Sequence, residues 1–256
     1  MTTSHTTRFT KALATPCIIL AALVPSLWAA EGELPPREAT EQWEPVPEVV
    51  SVPLDTGVPS DAVVLFDGRS LEAWEPVKAG SSGWEVKEGT MSVVSGAGAM
   101  KTKRSFGSIQ LHLEFRTPHM PDKKGQSRAN SGVFFMGLYE LQILDSYQNP
   151  TYVNGQAGSI YKQYAPLVNA SRKPGEWQTY DVIFTAPVFN DAGELQSPAY
   201  MTVLHNGVLV QNHVALKGPT LNRGYPAYTP HPAKLPLELQ DHRNPMFFRN
   251  IWVREL

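Results

Sequence analysis

The fold class follows from the stretch Asn130-Ser-Gly-Val-Phe-Phe-Met-Gly-Leu-Tyr-Glu-Leu-Gln-Ile-Leu-Asp145. It contains two short apolar runs, residues 132–136 and 139–144, separated by a glycine. Runs of this length that are rich in aromatic and β-branched residues and bounded by turn residues are typical of β-strands. The stretch therefore predicts two strands, and the rest of the chain is interpreted around them.

Polar side chains interrupt only the second run. In a strand, successive side chains point to opposite faces, so Glu140 and Gln142 share one face and the apolar residues beside them take the other. A β-bulge at the next apolar residue, Leu144, would return Asp145 to the face of Glu140. We therefore expect one sheet face with two carboxylates and an amide. A half-buried strand with a solvated polar face is the simpler interpretation and stays open.

Short strands and turns also dominate the chain from residue 61 onward. Residues 109–115 alternate strictly as Ile-Gln-Leu-His-Leu-Glu-Phe, and Asn206-Gly207 between apolar runs is a strong hairpin signal. No amphipathic run is long enough for a major helix. The pattern predicts an all-β sandwich or jelly roll with little helix. Further predicted strands cover residues 63–66, 84–86, 91–94, 180–185, 200–204 and 247–255.

The N-terminal segment does not belong to this domain. Residues 1–30 place Arg8 and Lys11 before an apolar stretch that ends in small residues, which indicates a signal peptide and predicts a secreted or periplasmic protein. The only cysteine, Cys17, lies inside this segment. Cleavage would leave no cysteine, which excludes a thiol nucleophile and a cysteine-ligated metal site.

Proline and acidic residues dominate residues 31–60, with six prolines and seven carboxylates against one arginine. Such a composition predicts an extended, disordered linker in front of a domain at residues 61–256. Because the linker alone has a net charge of −6, the domain 61–256 is left near neutral, at about +2, and it has no basic cluster. This balance argues against nucleic acid or an anionic membrane surface as the main partner, and leaves membrane contact to the export signal alone.

Seven motifs occur in series across residues 61–256: Leu65-Phe-Asp-Gly-Arg-Ser-Leu-Glu-Ala-Trp74, Trp84-Glu-Val-Lys-Glu-Gly89, Asn130-Ser-Gly-Val-Phe-Phe135, Tyr139-Glu-Leu-Gln-Ile-Leu-Asp145, Gly175-Glu-Trp177, Leu204-His-Asn-Gly207, and Leu239-Gln-Asp-His242 with Phe248-Arg-Asn-Ile251. Together they resemble the 3-keto-disaccharide hydrolase domain family. The resemblance implies a concanavalin A-like sandwich of two antiparallel sheets in an exported bacterial protein, with hydrolysis of 3-keto-glycosides as its activity. Two positions depart from the family pattern. This chain has Met136 where the family often has arginine, and Gln178 where the family often has asparagine.

The polar face of residues 140–145 suits chemistry on a keto sugar. A ketone at C3 acidifies the hydrogen on C2, so a base can remove that proton while the aglycone leaves C1 with help from an acid, and water then adds back. The spacing also resembles the bulged Glu-x-Asp-x-x-Glu strand of concanavalin A-like endoglucanases. We predict that Glu140 and Asp145 share the acid–base work, that Gln142 orients the substrate or a carboxylate, and that His242 is the third catalytic group.

Further polar residues are predicted substrate contacts, each with a structural role as the competing interpretation. A ring and a cation in sequence, after a turn-rich segment, could bind a sugar by stacking and by charge. For the asparagine at the start of the central motif, a structural role in a turn and a hydrogen bond to a sugar are the two competing interpretations. An arginine after an alternating strand could enter the cleft. The predicted substrate contacts are Tyr161, Lys162, Asn130, Arg116, Gln240 and Asp241, besides Gln142.

No cofactor or metal is predicted, because the histidines are scattered and no phosphate loop or dinucleotide fingerprint is visible. The proline-rich loop 218–236 is long enough to cover a site. Two functions remain open. One is an exported hydrolase or lyase acting on 3-keto-glycosides, with an oxidoreductase elsewhere that supplies the keto sugar. The other is a non-catalytic carbohydrate-binding module of the same fold, with which Met136 in place of arginine is consistent.

Overall fold

The computed structural model describes Met1, residues 34–81 and residues 83–256. It divides into two compact units, Met1–Glu48 and Val49–Leu256. The described part of the first unit holds one 3₁₀ turn, Arg37–Thr40, with no buried residue. Apart from Met1, the predicted signal peptide with Cys17 lies outside the described residues, and the boundaries at 30 and 60 stay predictions. None of the described helices has the length and apolar content needed to cross a membrane.

The described residues of the second unit contain fifteen strands, joined by turns and by two further 3₁₀ turns, Gly125–Ser127 and Val153–Gly155. The first eight strands are β1 Val63–Phe66, β2 Trp74–Pro76, β3 Glu85–Lys87, β4 Thr90–Ser92, β5 Met100–Phe106, β6 Ile109–Arg116, β7 Ser131–Phe135 and β8 Tyr139–Ile143. The others are β9 Trp177–Thr185, β10 Val188–Phe189, β11 Leu195–Ser197, β12 Tyr200–His205, β13 Val208–Ala215, β14 Leu235–Leu239 and β15 Phe247–Glu255.

The strands form two large antiparallel sheets. The larger sheet has the order β13-β12-β9-β6-β15-β4-β3, and β1 pairs with β15 beside it. The smaller sheet has the order β2-β5-β14-β7-β8, and β10 with β11 forms a separate ribbon. One hydrophobic core draws buried side chains from both large sheets. The predicted all-β, concanavalin A-like jelly-roll sandwich is thereby confirmed.

Alternation in sequence produces the inner faces of this sandwich. In β6 the side chains of Leu111, Leu113 and Phe115 are fully buried, whereas the residues between them are partly exposed. Across the core, Phe135 of the smaller sheet packs on Phe184 of the larger one, with ring centroids 4.9 Å apart. Burial of this apolar surface is the main force that holds the sheets together. The polar positions of each strand are consequently turned away from the core.

Strands β7 and β8 pair in one unshifted register, in which Ser131 lies opposite Ile143. The backbone N–H of Asp145 donates to the carbonyl of Ala129 at 3.2 Å, where the same register places that bond. The predicted bulge is therefore not present in this pair. Because the alternation continues unbroken, Asp145 does not return to the face of Glu140, which corrects the expectation from sequence.

Candidate functional site

A polar cavity of about 280 Å³ lies on the outer face of the smaller sheet, over β7 and β8. Its volume is near the lower end of small-molecule sites in proteins, and matches a small, polar ligand better than an extended chain. The cavity brings together six of the residues predicted from the sequence and adds three others. The lining residues are Asn130, Phe134, Glu140, Gln142, Tyr161, Thr220, Asn222, Gln240 and His242.

Glu140 is the buried carboxyl group of this cavity. Its side chain extends from β8 on the side opposite the core, and the residue is 4% exposed. Burial raises the pKa of Glu140 to about 8, and the cation of Lys162 opposes that rise. No hydrogen bond contributes to the pKa of this carboxyl group. A carboxyl group with these properties can hold or accept a proton near neutral pH.

Gly132 makes room for that carboxyl group. It lies opposite Gln142 in the β7–β8 register, two positions from the pair formed by Phe134 and Glu140 and therefore on the same sheet face. A Cβ at position 132 would be 2.7 Å from Oε1 of Glu140 and 3.1 Å from its Cγ. A glycine in the middle of a strand commonly marks a close approach of this kind.

An amide network forms one wall of the cavity. The side-chain nitrogen of Gln142 donates to Oδ1 of Asn130 and to Oε1 of Gln126, each at 3.3 Å. Asn130 in turn donates to the backbone carbonyl of Gln126 at 2.8 Å. Oε1 of Gln142 and Oε1 of Gln240 are buried and accept no hydrogen bond from the described residues. A buried acceptor without a partner is uncommon in a folded protein, so these two oxygens mark the wall as an unusual polar surface.

Residues 158–164 deliver Tyr161 to the cavity by pairing with the free edge of β8. The N–H of Tyr161 donates to the carbonyl of Glu140, and Gln142 exchanges backbone bonds with Gly158 and Ser159 on either side. The phenol of Tyr161 contacts the hydroxyl of Tyr152 at 2.7 Å. Burial raises the pKa of Tyr161, with a further contribution from that hydrogen bond. The Tyr161 hydroxyl therefore stays protonated at neutral pH and can act as a donor.

Lys162 lies beside the cavity but does not line it. Its ammonium group is 5.4 Å from the centre of the Tyr161 ring and donates to Oδ1 of Asn222 at 3.0 Å. It is also the cation that lowers the pKa of Glu140. The position of Lys162 thus favours an electrostatic effect on Glu140 over the predicted direct contact with a sugar.

Two loops close the remaining sides. Thr220 accepts the backbone N–H of Glu140 through Oγ1 at 2.9 Å, so the proline-rich loop 218–236 does reach the site, as its length suggested. Gln240 donates its backbone N–H to the carbonyl of Gly132. His242 follows at the rim with an exposed side chain. The imidazole is therefore the titratable group nearest to solvent.

Asp145 lies outside the cavity, contrary to its predicted position beside Glu140. Its carboxyl group is buried and forms an ion pair with Arg128, with Nε and Oδ2 2.9 Å apart. The backbone N–H of Tyr147 also donates to Oδ1 at 3.1 Å. Burial raises the pKa of Asp145, and the Arg128 cation opposes this. The unbroken register of β8 explains the position, and Asp145 supports the loop that follows the strand.

Arg116 and Asp241 are also placed outside the cavity. Arg116 is on the outer face of the larger sheet, where its guanidinium lies 4.9 Å from the Trp177 ring. Asp241 accepts the backbone N–H groups of Gly96 and Gly98 through Oδ2, at 2.7 Å and 3.0 Å. These bonds hold a turn of the chain, so Asp241 positions the loop that carries His242.

The two departures from the family pattern lie away from the cavity. Met136 is 3% exposed and belongs to the hydrophobic core, with a backbone φ of 56° in the β7–β8 turn. Gln178 is buried and accepts hydrogen bonds from the backbone of Arg172 and from the side chain of His205. The position of Met136 in the core therefore does not indicate that a substrate contact has been lost.

Three cavity residues were not predicted from the sequence: Phe134, Thr220 and Asn222. The first had a signal, because it lies opposite Glu140 in the predicted strand pair and has its side chain on the same face. The other two come from a loop with no periodicity, so only the fold places them. In the residues that the structure describes, no group of three or more His, Cys, Asp or Glu side chains is placed to hold a metal ion.

Comparison with known proteins identifies a family model and similar solved structures. A sequence model described as a 3-keto-alpha-glucoside-1,2-lyase-like domain matches residues 61–254. The crystal structure of a putative glycosyl hydrolase from Parabacteroides distasonis ATCC 8503 is 48% identical, covers 86% of this chain and 97% of its own, and has a TM-score of 0.81.

A second structure of that description from the same organism is 18% identical, covers 77% of this chain and 94% of its own, and has a TM-score of 0.56, which supports the fold alone. No curated protein matches the chain. The match of the family model extends over most of the sequence, and the site lies wholly inside it. The chain belongs to the family of 3-keto-alpha-glucoside-1,2-lyase-like domains, a family of carbohydrate-active hydrolases and lyases.

Proposed function

We propose that this protein is an exported enzyme that cleaves the glycosidic bond of 3-keto-glycosides or 3-keto-disaccharides by acid–base chemistry. The observation that carries the proposal is Glu140, a buried carboxyl group with no hydrogen-bond partner among the described residues, in a polar cavity of about 280 Å³. The family to which the chain belongs supports the substrate class. The absence of a second carboxylate from the cavity lining favours elimination at a keto sugar over the mechanism of ordinary glycosidases, which needs a pair.

The proposed reaction begins with proton transfer from C2 of the sugar to the Glu140 carboxylate. The electrons of the C2–H bond delocalise into the C3 ketone as an enolate, and then form the C1–C2 double bond as the C1–O bond to the aglycone breaks. His242 donates a proton to the departing oxygen. Water then adds across C1 and C2: its oxygen bonds to C1, its proton passes to the deprotonated His242, and Glu140 returns the abstracted proton to C2, which completes a net hydrolysis and restores both groups. No oxidant or reductant is consumed.

The remaining cavity residues would bind and polarise the substrate. The hydroxyl of Tyr161 is a protonated donor for the enolate oxygen, and the nearby Lys162 ammonium favours negative charge in the site. Gln142 and Gln240 line the cavity, and their side-chain amides would orient hydroxyl groups of the sugar. Asn130 fixes the orientation of Gln142 through its hydrogen bond.

A direct test compares a 3-keto-glucoside with the unoxidised glucoside, with and without chelator. We expect turnover of the keto substrate alone, and a loss of about 10²-fold or more in Glu140→Gln. Asp145→Asn is the matched control, because its carboxyl group is buried outside the cavity. Full activity of Glu140→Gln would refute the assignment. Binding of unmodified glycans without turnover of either substrate would instead identify a carbohydrate-binding module.

Two further elements of the proposal concern the context of the enzyme. Export rests on residues 1–30, which have the composition of a signal peptide. The keto group must come from a separate oxidation, so we propose that an oxidoreductase supplies the substrate. Loss of the protein from the extracytoplasmic fraction when residues 1–30 are removed would support the first. Accumulation of 3-keto-glycoside in a strain that lacks this protein would support the second.

A further inference from the structure

A second groove lies on the opposite side of the sandwich, on the outer face of the larger sheet. It has a volume of about 420 Å³, larger than the candidate active site. Its floor is one row of side chains across three neighbouring strands, Trp177 on β9, Arg116 on β6 and Phe247 on β15. Arg249 and the β3–β4 hairpin form its walls, the hairpin with Lys87, Glu88, Gly89 and Thr90.

Arg116 holds the centre of this floor. Its guanidinium carbon is 4.9 Å from the centre of the Trp177 ring and 4.7 Å from that of Phe247. Contacts of this kind use the face of the guanidinium plane and leave the N–H donors at its edge free. Among the residues that the structure describes, the side chain of Arg116 has no hydrogen-bond partner and no carboxylate within ion-pair distance. A planar cation thus lies beside two aromatic rings with its side-chain donors free of protein partners.

The walls of the groove add further cationic hydrogen-bond donors. Arg249 lies 4.1 Å from the Trp177 ring, and its Nε is bound to Glu114 at 2.7 Å, which neutralises that charge but leaves the two terminal nitrogens. Lys87 is exposed on the hairpin and forms no ion pair with a described residue. The single carboxylate in the lining is Glu88. The groove therefore offers guanidinium and ammonium donors beside two aromatic rings.

We propose that this groove binds an anionic sugar unit, one that carries a carboxylate or a sulfate group. Arg116 and the free nitrogens of Arg249 would bind the oxyanion in the bidentate manner that guanidinium favours. The exposed ring edges of Trp177 and Phe247 would contact the apolar side of the sugar. Because the two sites lie on opposite faces of the sandwich, this groove would tether the enzyme to an acidic glycan while the Glu140 cavity stays open.

The test is calorimetric titration of the purified protein with trigalacturonate, with maltotriose as the neutral probe and inorganic sulfate as the free anion. We expect binding of trigalacturonate that weakens with salt, no binding of maltotriose, and much weaker binding of sulfate. Arg116→Gln should weaken trigalacturonate binding by about tenfold or more, since a hydrogen bond between charged groups is lost. Lys87→Gln, an exposed substitution with little risk to folding, should weaken it by a smaller factor.

Two controls separate this groove from the active site and from charge in general. Arg69→Gln removes an arginine whose side chain is 87% exposed and that lies outside the groove, and it should leave the affinity unchanged. Glu140→Gln should also leave it unchanged. Wild-type affinity in both Arg116→Gln and Lys87→Gln would overturn the proposal, as would a loss of affinity in Glu140→Gln. Sulfate binding as tight as that of trigalacturonate would refute the sugar as the ligand.

Discussion

The carboxyl group of Glu140 rests against the bare backbone of Gly132, so that a Cβ at position 132 would lie 2.7 Å from Oε1. This contact couples two neighbouring strands at the point where the site is built. The glycine has an extended backbone in the middle of β7, so alanine is acceptable for the backbone there and only the side chain is in conflict. Position 132 thus controls where the Glu140 carboxyl group can be.

We expect Gly132→Ala to displace the Glu140 carboxyl group, to lower kcat/KM for a 3-keto-glucoside, and to cost about 1–3 kcal/mol of unfolding free energy through overpacking. Chemical denaturation and steady-state kinetics measure the two effects. In a Glu140→Ala background the same substitution should cost clearly less, because Oε1 and Cγ of Glu140 are gone and only the Phe134 ring, 3.1 Å from the added Cβ, remains close. Equal costs in both backgrounds would show that the strain arises elsewhere.

The pH dependence of the reaction should report the titration of Glu140. If the carboxylate is the base, kcat/KM should rise about tenfold per pH unit below the pKa of Glu140, near 8, and level off above it. A profile of kcat/KM between pH 5 and pH 9 measures this. Activity that falls through the same range would assign Glu140 as the proton donor instead.

Glu140→Gln should stabilise the protein in alkali while it removes activity. The pKa of Glu140 is about 8 in the folded protein against 4.5 unfolded, so the folded state binds more protons in this window and stability falls as pH rises through it. At pH 8 the variant should gain on the order of a few kcal/mol of unfolding free energy, and near pH 4 almost none. Urea unfolding at the two pH values checks this. An equal gain at both would point to a cause other than the charge.

Asp145→Asn should have the opposite profile. Removing one partner of a buried ion pair leaves the Arg128 charge uncompensated, which typically costs about 3–5 kcal/mol. Activity per folded molecule should stay within about twofold of the wild type, because the carboxyl group is outside the cavity. Active-site titration combined with denaturation separates the two quantities. A large fall in kcat with little loss of stability would restore Asp145 to the reaction.

Because His205 is buried with a lowered pKa, we expect the folded state to lose stability in acid. Burial lowers its pKa to about 4, and the Arg172 cation adds to the effect, so the unfolded state binds more protons below pH 6.5. Stability attributable to this residue is therefore lost as pH falls from 6.5 towards 4, by up to about 3 kcal/mol. The difference in unfolding free energy between wild type and His205→Asn should shrink over that range. A constant difference would show that the imidazole does not titrate there.

Much of the fold could be predicted because local patterns were strong. The alternation of residues 109–115 and the Asn206-Gly207 turn correspond to β6 and to the β12–β13 hairpin, in which both turn residues have positive φ. Strand β5 was missed because its centre is Lys-Thr-Lys-Arg, which has little apolar alternation. Strand β14 was missed because it contains Pro236, which weakens a strand pattern. Its extended conformation depends on pairing with β5 and β7.

The positions of site residues that share a strand could be predicted from the sequence. The positions that depend on strand register or on a long loop could not. Glu140 and Gln142 followed from alternation alone. Asp145 required a bulge that the sequence could suggest but not establish, and Arg116 lies on the other sheet because its strand is paired there. Thr220 and Asn222 approach over a sequence separation of about 80 residues, which no local pattern records.

Pairing of residues 158–161 with β8 also protects the protein from self-association. Strand β8 ends the smaller sheet, and an uncovered edge of this kind can template pairing with another chain and so lead to aggregation. The backbone bonds to Gly158, Ser159 and Tyr161 occupy the groups that such a neighbour would use. Substitutions that weaken the pairing of this segment should therefore reduce solubility together with activity. Attempts to widen the cavity from this side would expose the edge of β8 and so favour aggregation.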